Sequence, residues 1–356
     1  MSELESLYKE WCSLQPIDSH KQHLLSQRFT IEYNYNSNHL EGNTLTYGQT
    51  ELLLLFGKVS GEGELKDFVD MKASQVGVRM VQESVLDTTA PLTQNFIRQL
   101  HKVLLREDYT VYRNLPGGVI TSYVIHAGQY KTRPNSVITR YGDRFEYTSP
   151  EETPALMSDL VDWYNEAEQT GKYTPVELAA LFHYRYIRIH PFEDGNGRIA
   201  RLMVNYILAR HDWPMIVVRN RNKAAYLEAL HQSDEQIGRS PSDGTHASLT
   251  SIRHFLKYFT QTVIEELRYN INFVKEQSPN VWWYDGQRIE FRSPTSSKML
   301  HAMRTDPEIT IEALSRMAGI NTSAVKKQIA TMTKHGYIQR RNANGEWHVM
   351  ICPSAE

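Results

Sequence analysis

The stretch His190-Pro191-Phe192-Glu193-Asp194-Gly195-Asn196-Gly197-Arg198-Ile199-Ala200-Arg201 packs a base, a carboxylate, two closely spaced glycines and two arginines into one run. The residues before it, 174–189, carry the spacing of a buried helix, with Pro175 suited to its first turn. Those after it, 199–208, read as a second, strongly apolar helix that ends at His211-Asp212-Trp213-Pro214. The run is therefore a loop that closes one helix and opens the next. Gly195 and Gly197 allow backbone N–H groups to turn inward and converge. A helix N-terminus directly behind them favours phosphate through its free donors and its dipole. Arg198 and Arg201 share one helical face and suit paired hydrogen bonds to phosphate oxygens. Asp194 is a hard oxygen ligand of the kind Mg²⁺ takes together with substrate phosphates. His190 is the group best suited to accept a proton near neutral pH.

Outward from this loop the chain reads as mainly α. The first ninety residues have helical spacing, including the run Leu52-Leu53-Leu54-Leu55-Phe56 and then Phe68, Val69, Ala73, Val76 and Met80. Pro91 interrupts, and Thr93 caps a helix through Phe96, Ile97, Leu100, Val103 and Leu104. Residues 112–150 differ in texture: Gly117, Gly118, Gly128, Pro134 and Gly142 punctuate short β-branched stretches. Val137-Ile138-Thr139 and Phe145-Glu146-Tyr147 suggest a small hairpin. Helices resume at 153–167, 224–236 and 249–274. Residues 277–297, with Trp282-Trp283-Tyr284, Gly286 and Pro294, read as a linker that partly packs. In the last sixty residues a helix at 311–317, a turn at Gly319-Ile320-Asn321, a helix from 322 to 334 and a hairpin over 338–350 turning at Asn344-Gly345 resemble a winged helix-turn-helix. The expected division is 1–92, a helical region; 93–276, a catalytic core with following helices; 277–297, the linker; and 298–356, the winged-helix-like domain.

The whole-chain properties narrow the function. At 356 residues the chain is long enough for two or three units. Its net charge of −2 gives no global attraction to nucleic acid or acidic membranes. Cys12 and Cys352 are the only cysteines, at opposite ends, so neither a disulfide framework nor a cysteine zinc site can be built. The acidic start lacks the pattern of a signal peptide, and no apolar run approaches the roughly 20 residues that span a bilayer. A cytoplasmic protein without membrane contact is expected.

The loop meets every specified position of His-x-Phe-x-(Asp/Glu)-Gly-Asn-Gly-Arg-x-x-Arg, and the chain thereby resembles Fic-domain proteins over roughly residues 93–247. The resemblance implies a Fic-type helical core and transfer of AMP from ATP to a Ser, Thr or Tyr hydroxyl of a protein, with Mg²⁺ or Mn²⁺ as cofactor and ATP as substrate. It assigns His190 as the base, Asp194 as the metal ligand, and Gly195, Asn196, Gly197 and Arg198 as the phosphate cradle. Arg201 would hold the γ-phosphate, and Phe192 would anchor the loop. The stretch from Gln129-Tyr130-Lys131 to Val137-Ile138-Thr139 resembles the family's flap, which holds the target as an added strand; a plain surface hairpin is the alternative. Thr139 is the expected nucleotide contact from the flap. Tyr226 is expected near the adenine or ribose, with a core position as the alternative.

Ser37-Asn38-His39-Leu40-Glu41-Gly42 matches the family's inhibitory signature (Ser/Thr)-x-x-x-Glu-(Gly/Asn). By resemblance Glu41 pairs with Arg201 and withholds that arginine from ATP, or helps water remove AMP in a reverse, hydrolytic reaction. For the C-terminal module, Lys326, Lys327, Lys334, Arg340 and Arg341 suit phosphate contact, while only Ser323 and Gln328 suit base edges. Contact with DNA and contact with protein both stay open there, as does a homodimer. The competing functional reading is a DNA-binding regulator whose Fic core senses nucleotide; an intact His190 favours the enzyme.

Overall fold

The computed structural model describes residues 2–59, 61–114, 120–138, 142, 144–238, 240, 242–340 and 345–354. Along the chain come helices α1 (Glu3–Ser13), α2 (Ser19–Leu40), α3 (Tyr47–Phe56), α4 (Leu65–Ser84) and α5 (Gln94–Leu105). Two hairpins follow, β1 (Tyr109–Asn114) with β2 (Ile120–Ile125), and β3 (Ser136–Ile138) with β4 (Arg144–Glu146). Next are α6 (Thr153–Thr170), α7 (Pro175–Ile189), α8 (Asn196–Arg210), α9 (Lys223–Ile237) and α10 (Arg253–Lys275). The C-terminal part holds β5 (Val281–Tyr284), β6 (Gln287–Glu290), α11 (Pro294–Thr305), α12 (Ile311–Ala318), α13 (Thr322–Lys334), β7 (Ile338–Arg340), β8 (Trp347–Val349) and β9 (Cys352–Pro353). None of the described helices is long and apolar enough to cross a membrane.

The chain divides into two compact units, and the division does not follow sequence order. One unit takes residues 36–43 and 69–264; the other takes 1–35, 44–68 and 265–356. In the first, α7 and α8 form the centre, packed by α5 and α6. Helix α7 starts where the sequence says it should: Thr174 and Glu177 make a reciprocal capping box, with Pro175 at the first helical position. Nearly every side chain of α7 and α8 is buried, including Phe182, Tyr186, Ile199 and Met203. Helices buried on nearly every side have little solvent face to present, so the pair becomes the core rather than its cover. Its polar side chains Arg188, Arg201 and Asn205 are hydrogen-bonded inside it.

In the second unit, the stretch read as a linker is instead an antiparallel hairpin, β5 with β6, extended by β9. Its turn is Asp285-Gly286, both at positive φ, which suits a two-residue hairpin. Consecutive strand residues face opposite ways, so Trp282 enters the core of Met299, Leu300, Leu314 and Trp347, and Trp283 joins Leu24, Tyr269 and Phe273. Helix α11, also absent from the sequence reading, begins behind the cap Ser293 with Pro294 in its first turn; that proline starts a helix rather than marking a linker. Helices α11, α12 and α13 with the β7–β8 hairpin form a winged helix. The expected turn residue Asn344 and the basic residue Arg341 lie outside the described residues.

Candidate active site

The loop after α7 is held from several directions within the first unit. His190 caps α7 in the left-handed region, φ 49°, which turns the chain sharply out of the helix. Phe192 is fully buried and stacks on His101 of α5 at 3.8 Å between ring centroids. Asn196, the first residue of α8, grips Phe192 twice: its Oδ1 accepts from the Phe192 N–H at 3.0 Å, and its Nδ2 donates to the Phe192 carbonyl at 2.7 Å. Asn135 Nδ2 donates to the same carbonyl at 2.9 Å. Buried Lys131 donates from Nζ to the Ile189 carbonyl and to Asn135 Oδ1, each at 3.0 Å, and from its own N–H to the Pro191 carbonyl at 2.8 Å. Burial pushes that ammonium down to about 7.

His190 lies against Tyr147, ring on ring at 3.8 Å. Burial first, and the Lys131 ammonium second, push its imidazole down to about 3; the Ile187 carbonyl and the Asp194 carboxylate oppose this. It is therefore neutral at pH 7, with a lone pair available to take a proton. His101 is also held neutral: burial brings it down to about 4. Its Nδ1 accepts from the Gly128 N–H at 2.8 Å, which leaves Nε2 to donate to the Asp194 carbonyl at 3.0 Å.

Asp194 Oδ1 accepts from the Gly195 N–H at 2.7 Å, and Oδ2 accepts from the Tyr109 hydroxyl at 2.7 Å. The side chain remains 40% exposed. Among the described residues no group of three His, Cys, Asp or Glu side chains could hold a metal by itself. One exposed carboxylate beside the glycine-rich start of a helix nevertheless fits Mg²⁺, which typically binds through one or two carboxylates and completes its shell with phosphate oxygens and water.

Gly195, at φ 75°, precedes α8, whose first turn carries Gly197 and Arg198. The Arg198 guanidinium sits 3.6 Å from Asp194 and 3.9 Å from Asp70. Arg201 is more firmly engaged. It is 3% exposed in its side chain, and its Nη2 donates to Glu41 Oε1 at 2.7 Å and to the Ser37 carbonyl at 2.8 Å. Its Nε donates to Ser37 Oγ at 3.0 Å. Glu41 immediately follows the last residue of α2, and a Cβ on Gly197 would run into its carboxylate. The carboxylate thus rests on the first turn of α8, where an anion is favoured. The end of α2 is tied down by Lys223 Nζ, which donates to the Leu40 carbonyl at 2.7 Å.

The fold brings His190, Asp194, Gly195, Asn196, Gly197, Arg198, Arg201 and Glu41 around one loop. Tyr226 is buried, with its hydroxyl 2.9 Å from His183 Nε2 and its ring beside those of Phe255 and Tyr258. Burial pushes its phenol up, and Arg201 and Glu41 are near enough to contribute. Thr139 lies outside the described residues. Of the expected flap, Ser136–Ile138 is a strand paired with Arg144–Glu146, whereas Gln129, Tyr130 and Lys131 lie outside any strand. His101, Tyr109, Asn135 and Tyr147 are site residues that sequence reasoning missed. Only His101 carried a signal: it stands four residues after Ile97, on the apolar face of its helix.

The Fic/DOC family model matches residues 91–208, and a winged helix-turn-helix DNA-binding model matches residues 292–339. Protein adenylyltransferase fic-1 of Caenorhabditis briggsae and that of Caenorhabditis elegans are each 27% identical to the chain over 268 residues, covering 74% of this chain and 46% of each relative. The chain thus spans about half the length of the curated relatives it matches. A solved Fic-family protein from Desulfovibrio desulfuricans G20, 17% identical, shares the fold with a TM-score of 0.55 over 98% of this chain and 96% of that one. A Fic domain containing signaling protein from Bacteroides thetaiotaomicron VPI-5482 is 50% identical, with a TM-score of 0.72 over 78% of this chain and 98% of that structure. With half of the aligned residues identical across nearly all of that structure, and the complete loop in place, the chain belongs to the family of Fic-domain proteins.

Proposed function

We propose that the protein transfers AMP from ATP to a Ser, Thr or Tyr hydroxyl of a target protein. One observation carries the reading: His190, the C-cap of α7, stands one short, many-times-bonded loop away from the first turn of α8 with Arg198 and Arg201. The hydroxyl oxygen attacks the α-phosphorus, the bond to the β-phosphate bridge breaks, pyrophosphate leaves, and His190 receives the hydroxyl proton. The backbone N–H groups of Gly195, Asn196 and Gly197, with Arg198, stabilise the phosphate charge; positioning and preorganised electrostatics supply most of the rate. Asp194 would hold Mg²⁺, which supplies charge neutralisation on the phosphates. Tyr226, expected near the adenine or ribose, is buried in the core with Arg201 close to its phenol.

In this reading Glu41 is a brake. Its carboxylate takes the Nη2 donor that the γ-phosphate would use, and it repels phosphate from the α8 N-terminus. Incubation of wild-type and Glu41→Gly protein with ATP labelled at the α- or the γ-phosphate tests the proposal. Label is expected from the α position only, and more of it in the variant; transfer from the γ position would overturn the assignment.

The family match at residues 292–339 favours a second role, DNA contact through the winged helix. Lys326, Lys327 and Lys334 are exposed on α13 and suit phosphates. Gln328, one of two candidates for base edges, has its Oε1 accepting from Ser296 Oγ at 2.9 Å, which leaves its amide N–H donors for that role. Any such binding would be weakly sequence-specific, and a salt-insensitive or absent shift of duplex DNA by the full chain would remove this role.

A further inference from the structure

A cavity of about 470 Å³ opens onto His190, and its wall includes Arg113, Tyr123, Arg133, Ser136 and Glu193. The Arg133 guanidinium lies over the Tyr123 ring, 3.8 Å from its centroid, and that of Arg113 lies 5.2 Å from the same centroid. Stacking on an aromatic ring orients a planar guanidinium and turns its edge N–H groups outward. Arg133 Nη2 already donates to the Val124 carbonyl at 3.3 Å. The wall has one carboxylate, Glu193, and it is already engaged. Its Oε1 accepts from the Thr132 N–H at 3.3 Å and from Thr132 Oγ at 3.2 Å, and its Oε2 accepts from Arg133 Nη2 at 3.3 Å. Arg113 is exposed and has no ion-pair partner among the described residues. His190 is neutral at pH 7 and adds no charge. The cavity wall is therefore net positive in a chain whose overall charge is −2.

Resting on the AMP-transfer reading above, we propose that Arg113 and Arg133 select target segments with an acidic side chain close to the accepting hydroxyl. Ser136 begins β3, which pairs with β4, and we lay the incoming target strand along the opposite side of β3. In a strand laid there, side chains two residues apart share a face. A hydroxyl turned towards His190 would then have its second neighbour on the side of the guanidiniums. Paired N–H donors on a planar group match a carboxylate better than an amide or an ammonium.

The test uses the full chain carrying Glu41→Gly, with ATP labelled at the α-phosphate and Mg²⁺. Two peptide libraries centred on threonine differ only in having Asp or Gln two residues from it. The Asp library should be labelled about fivefold more efficiently through a lower KM, the gain expected of one exposed ion pair. Adding Arg113→Glu should abolish or reverse that preference while label still reaches the Gln library. Arg113→Gln, a milder change, should remove the preference without reversal. Equal labelling of both libraries by the Glu41→Gly protein would overturn the inference while leaving the transfer reading intact. No label on either library, nor on the protein itself, would sink the transfer reading and this inference with it.

Discussion

The loop between α7 and α8 and the segment that reaches over it are held in opposite ways. Between Ile189 and Asn196, backbone groups are gripped by Asn196, Asn135, Lys131 and His101, four side chains from four places in the sequence. Loss of any one leaves the others. Among the described residues the Glu41 carboxylate accepts one hydrogen bond, from Arg201 Nη2, and the side chain is 41% exposed. The Arg201 guanidinium keeps two further bonds to Ser37 when that carboxylate swings away. A redundant grip suits a part that must not move, and a single side-chain bond suits one that, in the proposed reading, ATP displaces. The two arginines show the same division: Arg198 lies 3.6 Å or more from its carboxylates, whereas Arg201 is bonded at 2.7 Å.

The largest expected effect removes the chemistry without touching either grip. His190→Ala in the Glu41→Gly background should lower α-label transfer by about 10²- to 10⁴-fold, the usual contribution of a positioned base, with ATP binding retained. Retention of transfer within tenfold would mean that His190 is not the base. The next effect breaks the lone contact. Glu41→Gly should raise transfer on the order of tenfold to a hundredfold, as expected from removing one charge-assisted hydrogen bond that ATP must otherwise displace. Glu41→Gln, which keeps the size and loses the charge, should fall between. If both variants match the wild type in ATP affinity and transfer, the carboxylate restrains nothing.

A smaller effect probes the redundant side. Asn196→Ala removes two hydrogen bonds and strands the buried Phe192 N–H, at a cost of about 2 kcal/mol. The urea midpoint should fall accordingly, with the slope unchanged. Because Asn135 still holds the Phe192 carbonyl, the protein should stay folded. A midpoint equal to that of wild type would show that the loop is held by packing alone.

How much of this was legible before folding depends on distance along the chain. The loop was readable because its base, carboxylate, glycines and arginines are consecutive, and α7 because Thr174, Pro175 and Glu177 announce it locally. The pairing of Glu41 with Arg201 was reachable only through the family resemblance, since no local pattern links the two residues. The supports of the loop were not readable. Asn135, Lys131 and Tyr109 act on it from remote positions, and each looks like an ordinary polar or aromatic residue where it stands. The β1–β2 hairpin escaped because its residues are largely exposed and show no apolar alternation. The β5–β6 hairpin did carry a signal in Asp285-Gly286, but the adjacent Trp282 and Trp283 mask the period by burying both faces.

The smallest effect follows from the histidines that the rigid side keeps neutral. His101 takes a proton near pH 4 in the folded protein, held down by burial, whereas an unfolded chain takes it near 6.5. His183 and His190 are held down to about 3 for the same reason. Between these limits the unfolded state binds more protons, so the histidines' contribution to stability is full above pH 6.5 and is lost as pH falls towards 4 and then 3. Each histidine contributes at most about 1.4 kcal/mol per pH unit. The urea midpoint should therefore drop between pH 7 and pH 5. In His101→Gln, whose amide can still donate to the Asp194 carbonyl but cannot titrate, the drop should be shallower by up to one proton's worth. An unchanged pH dependence in that variant would mean that His101 is already protonated in the fold. It would then be unable to accept the Gly128 N–H, and the clamp on Asp194 would have to be redrawn.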